Sequence, residues 1–243
     1  MARIPSDIVR TRENPRITAN ELARFMIAGN VGQKGIIRKA KEIGTAAAIR
    51  YSDARNVLRN AFCDTTNERR IISDGLNNFD QRSSDTSLSE WTRNDALRSI
   101  DVLNAYANQR NSFVGYDFTR PPADQTHLQI GGVAVSVNCD VLIRGLVKGR
   151  DLRGAGLLRL AKPEEEESES AKAKRKEIGQ YAATLVYMHA AQNLLDADTL
   201  NHELCWSIDI QASERHVAPR NYRTRAANME VACEFISAMW DRV

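Results

Sequence analysis

The chain has 243 residues, 42% apolar and 27% charged, with a formal net charge of +3. That is enough apolar material for one large core, or a core with an extension. No apolar run approaches the roughly 18 residues of a membrane span, and MARIPSDIVRTRENPR lacks the apolar centre of a secretory signal. A cytoplasmic, non-membrane protein is therefore expected.

Residues 1–16 mix Pro, Arg and polar residues without periodicity and read as an extended arm. Thr18-Ala-Asn-Glu21 is a capping box, which predicts a helix to about Ala28. GNVGQKG, residues 29–35, reads as a turn. It lacks the GxxxxGK[ST] spacing of a phosphate loop, and no strand precedes it. Residues 36–61 read as helical, with an interruption near Gly44. Lys34, Arg38 and Lys41 share one face of this region, and Arg55 and Arg59 share another. Met1 to Phe62 carries twelve Lys or Arg against five Asp or Glu, a balance of +7 that leaves about −4 for the remainder. Such a basic third suits a polyanion; a solvated helix face that happens to carry arginine is the alternative.

Residues 64–87 are polar and read as a loop-rich connection. Leu88, Trp91, Ala96, Ile100, Leu103 and Ala107 follow helical spacing, and predict a helix over 88–110. Pro121-Pro122 is a firm stop. LQIGGVAVSV, CDVLIRGLV and GAGLLRLA, from Leu128 to Leu160, predict a three-stranded meander. PEEEESESAKAKRKE is a charge run leading into a helix marked by Ile178, Tyr181, Leu185, Met188 and Leu195. ELCWSIDIQ, residues 203–211, reads as a strand. Tyr222, Ala226, Met229, Cys233, Ile236 and Trp240 mark a C-terminal amphipathic helix. The expected fold class is α+β, in two regions: a basic helical extension over 1–87, and a mixed sheet flanked by helices, α-β-β-β-α-β-α, over 88–243.

The four cysteines, Cys63, Cys139, Cys205 and Cys233, form no CxxC pair, and His127, His189, His202 and His216 form no HxxxH or HExxH pattern. Reduced thiols are expected rather than a zinc cluster.

The element order, with Asp140 opening the second strand of the meander, resembles the core of the PD-(D/E)XK nuclease superfamily, RecB-like members included. The resemblance covers about residues 88–243. It implies that Asp140 stands where that superfamily holds Mg²⁺ beside a second carboxylate and a lysine of a (D/E)xK triplet. With Arg159 aligned to the lysine, Leu157 falls where the second carboxylate belongs. A shifted register offers Lys162 but starts the triplet at Leu160. Three roles for Asp140 stay open. It could be a metal ligand completed by Glu90 or the Glu164–Glu167 run. It could be a remnant in a nuclease that no longer cuts. It could be a structural carboxylate paired with Arg144 or Arg159. RecB-like proteins also carry a Gln and a Tyr on the following helix, for which Gln180 and Tyr181 stand here without the usual spacing. Asp209 could border the same pocket, or face solvent on an edge strand. Arg215, His216, Arg220 and Arg223 form a loop and helix start suited to phosphate, or a plain surface loop.

The expected function is that of a nucleic-acid-associated, cleavage-incompetent subunit of a DNA-processing or defence assembly, with no cofactor. The alternatives are an active Mg²⁺-dependent nuclease with a rearranged site, and a module that binds other protein subunits.

Overall fold

The computed structural model describes residues 11–43, 50–163 and 168–243. At its start the chain pairs as a strand, β1 (Arg16–Thr18), and then turns into helix α1 (Ala19–Phe25). The expected capping box makes the turn: Glu21 N donates to Thr18 Oγ1, and Thr18 N donates to the Glu21 carboxylate. Helix α2 (Asn30–Lys41) follows at once. The segment expected as a turn is therefore helical from Asn30, because Gly29 caps it and Gly32 and Gly35 are carried inside the helix. Residues 44–49, where an interruption was expected, lie outside the described residues.

Three helices then pack together: α3 (Ser52–Cys63), α4 (Glu68–Ser84) and α5 (Glu90–Gln109). Helix α4 replaces the loop expected over 64–87. Its apolar signal is thin because Gly75 occupies the crossing point. A side chain there would meet Val57 of α3 at 2.9 Å and Leu103 of α5 at 3.0 Å. Gly75 is the contact that lets the three helices close up.

Eight strands form two mixed sheets among the described residues. The small sheet joins β1 to a hairpin of β3 (Leu128–Ile130) and β4 (Val133–Ser136), with β1 parallel to β4. Gly131 and Gly132, at φ 49° and 78°, make the two-residue turn, where both positions need left-handed backbone. The large sheet runs in the order β2 (Tyr116–Thr119), β5 (Val141–Val147), β6 (Arg150–Arg159), β7 (Trp206–Asp209), β8 (Glu214–Val217). Strands β6 and β7 are parallel and are linked through α6 (Glu169–His189); the other pairs are antiparallel. The α+β class holds. The meander does not: LQIGGVAVSV folds as a hairpin of the small sheet, and its partner is β1, more than a hundred residues away in sequence. The short strands β2 and β8 were not expected.

Period-two alternation sorts the large sheet into two faces. Val141, Ile143, Leu158, Trp206 and Ile208 pack with α3, α4 and α5. Ala155 and Leu157 pack with α6, in a core that also takes in α1, the small sheet and α7 (Tyr222–Met239). The 87/88 boundary is not a physical separation. Strand β1 pairs with β4, α1 lies against α6, and Lys41 Nζ donates to Trp240 O at the C-terminus.

Candidate functional site

Asp140 lies where the chain crosses from the small sheet into β5. Its backbone N–H donates to Gly156 O of β6 at 2.7 Å. The carboxylate is fully buried and accepts three hydrogen bonds: from Arg55 Nη1 at 2.6 Å, Arg59 Nε at 2.7 Å and Leu158 N at 2.7 Å. Arg55 and Arg59 are one turn apart on α3, so a single helix face delivers both guanidinium groups. The expected pairing with Arg144 or Arg159 is thus corrected. Arg144 crosses the β5–β6 hairpin to Asp151 at 2.6 Å, and Arg159 pairs with Asp209. The partners are on α3 because a nonlocal helix packs over the strand start, a contact that strand registers alone do not predict.

The superfamily's remaining positions do not converge on Asp140. Leu157 is buried in the α6-side core, and Arg159 also turns to α6, while the Asp140 carboxylate turns to α3. Glu90 is exposed in the first turn of α5 and bonds to none of the Asp140 group. Lys162 is exposed beyond β6. The Glu164–Glu167 run lies outside the described residues. A carboxylate has about four acceptor positions, and Asp140 spends three of them on protein donors. Two guanidinium groups in contact with it repel a divalent cation. Among the described residues, no three His, Cys, Asp or Glu side chains group as a metal site. The donor set around Asp140 does not fit Mg²⁺.

A second network holds this crossing segment. Gln125 brackets Cys139: its Nε2 donates to Cys139 O and its Oε1 accepts from Cys139 N, both at 2.9 Å. The same Oε1 lies 3.1 Å from His189 Nε2, and Asn193 Nδ2 lies 3.0 Å from His189 Nδ1. Because Nδ1 accepts, the proton sits on Nε2 and the ring is neutral. Burial, with His127 nearby, pushes the His189 pKa down to about 4. Beside Asp140 opens a cleft of about 290 Å³, lined by Arg59, Arg120, Pro121, Pro122 and Gln125. The Arg120 guanidinium is steadied by Asn60. Arg59 and Arg120 line the cleft, and Arg55 binds the same Asp140 carboxylate from outside it, so the group carries a positive surplus.

Asp209 is buried, not on an edge, because β8 covers β7. Arg175 of α6 reaches it at 2.7 Å and Arg159 at 3.3 Å. Burial pulls the Arg159 pKa down, and the Asp209 charge opposes the shift. Gln180 and Tyr181 both meet Arg225 of α7: Nη2 donates to Gln180 Oε1 at 2.6 Å, and the guanidinium lies 4.6 Å from the Tyr181 ring. They tie two helices together away from Asp140. Of the residues expected to meet phosphate, Lys34, Arg38, Arg215, Arg220 and Arg223 are exposed. Lys41 is tied to Trp240, and Arg55 and Arg59 spend a donor each on Asp140.

Arg120, Gln125 and His189 escaped the sequence reading as site residues. The only local signal was the Pro121-Pro122 stop that presents the first two. No protein-family model matches the chain, and no curated protein matches its sequence.

Proposed function

We propose that this chain is a nucleic-acid-associated protein on a nuclease-like sheet, in which Asp140 serves structure and not phosphodiester cleavage. In this reading it acts as a binding or scaffolding subunit of a DNA-processing or defence assembly. The observation that carries it is the clamp on Asp140. The carboxylate at the start of β5, which such nucleases would turn to a metal, is neutralised by Arg55 and Arg59. The cationic surplus beside it, with exposed Lys34 and Arg38 on α2, suits a phosphate backbone.

The test is fluorescence anisotropy with labelled single-stranded DNA, duplex DNA and RNA between about 50 and 200 mM salt. Binding whose affinity falls steeply with salt is expected, and no cleavage with Mg²⁺ or Mn²⁺. Absence of binding at the lowest salt refutes the reading. Cleavage lost in a folded Asp140→Ala variant would replace it with an active nuclease. A protein-binding role draws on a separate observation: Val231 and Phe235, one turn apart on α7, are 66% and 46% exposed. Light scattering on the purified chain tests that role through self-association.

A further inference from the structure

The β5–β6 hairpin ends far from Asp140. Seven residues of β5 at about 3.3 Å each place its turn roughly 20 Å away, at the opposite end of the sheet. Lys148 and Gly149 form that turn, with φ of 52° and 76°. Gly, Asn or Asp suits such a position, yet a lysine holds the left-handed backbone here.

Two adjoining depressions, of about 490 and 570 Å³, meet around this turn and share Lys148, His202, Glu203 and Arg220. Arg150 lines one and Arg215 the other. The four cations Lys148, Arg150, Arg215 and Arg220 are exposed, and none forms a salt bridge among the described residues. Glu203 is the one carboxylate among the lining residues. Arg215 lies against the aromatic wall: its guanidinium is 4.3 Å from the Trp206 ring centre and 5.5 Å from that of Tyr116. Tyr116 is half-buried in the same wall, edge-on to Trp206 at 4.7 Å.

From this we infer that the groove at the hairpin end is a track for single-stranded nucleic acid, with Lys148, Arg150 and Arg220 on phosphates and the Tyr116–Arg215 wall against exposed bases. The inference rests on the nucleic-acid reading above and gives it a location away from the Asp140 cleft. Charge complementarity selects an anionic chain. The planar wall selects bases, because aromatic and guanidinium faces stack on any unpaired base, whereas a duplex hides its base faces. An acidic polypeptide would satisfy the cations and leave the wall unused.

The experiment is anisotropy with a fluorescent oligothymidylate at low salt, on the full chain. The triple variant Lys148→Glu/Arg150→Glu/Arg220→Glu is expected to lose at least ~10-fold in affinity. Its salt slope should flatten by about 0.7 for each lost phosphate contact. The variant Lys34→Glu/Arg38→Glu on α2 should change less, and Tyr116→Leu should weaken binding without changing the salt slope. If the triple variant unfolds, Arg150→Gln and Arg220→Gln decide singly, each lowering the slope by about 0.7. A folded triple variant that binds like the wild type overturns the groove and leaves nucleic-acid association standing. A wild type that does not bind overturns both. Displacement by polyglutamate at equal charge concentration, together with indifference to Tyr116→Leu, overturns the single strand in favour of an acidic polypeptide.

Discussion

Replacing Asp140 by alanine separates a structural clamp from a metal ligand through stability alone. The carboxylate is fully buried and accepts from two guanidinium groups and the Leu158 amide. Removing one partner of a buried ion pair costs about 3–5 kcal/mol, because the remaining charge is left unpaired. Arg55 and Arg59 are each 27% exposed and can turn partly to water, which reduces that cost. The Leu158 N–H cannot turn, and a stranded buried donor costs about 1–3 kcal/mol. The balance is a loss of roughly 2–4 kcal/mol, or about 5–15 °C in Tm for a chain of this length. Thermal and urea unfolding with and without Mg²⁺ measure it. Asp140→Asn keeps the shape and one acceptor oxygen, and should fall between wild type and alanine. A carboxylate kept for metal chemistry behaves in the opposite way: its removal relieves strain and raises stability. An alanine variant as stable as the wild type, or a wild type stabilised by Mg²⁺ through Asp140, refutes the clamp.

Three further outcomes follow from the packing. His189 is held neutral with a pKa of about 4 against an ordinary 6.5, so the unfolded chain takes up its proton first as pH falls. This contribution to stability is complete above pH 6.5 and is lost between there and about pH 4, at about 1.4 kcal/mol per unit. His189→Gln should flatten that window in pH-dependent unfolding, and an unchanged profile removes the histidine from the account. A Cβ at Gly179 would run into the His216 ring. Gly179→Ala should therefore cost about 1–3 kcal/mol, with recovery in the Gly179→Ala/His216→Ala pair, and equal losses in single and double variants would refute the contact. Burial raises the thiol pKa of Cys139, Cys205 and Cys233, the last two to about 12, and Cys63 alone is half-buried. A thiol reagent should label at most Cys63 in the native protein and all four on unfolding; rapid native labelling of two or more contradicts the core packing.

Local chemistry carried a good part of the fold. The Thr18–Glu21 box, the periodicity of α5 and α7, and the β-branched runs of β4 and β5 each act within one element, so the sequence by itself determined them and the α+β class. The polar texture of residues 64–87 misled because α4 buries only a narrow stripe, Ile72, Gly75 and Phe79, against α3 and α5, and so few apolar positions leave no clear period in the sequence. The meander misled because strand pairing depends on which partner arrives, and β4 found β1. Asp140 shows the same division. Its composition and place before an apolar run marked it as exceptional, but the identity of its partners was decided by α3 folding back across the sheet. Ion pairs across more than eighty residues of chain have no sequence period, so only the tertiary structure could bring Arg55 and Arg59 to that carboxylate.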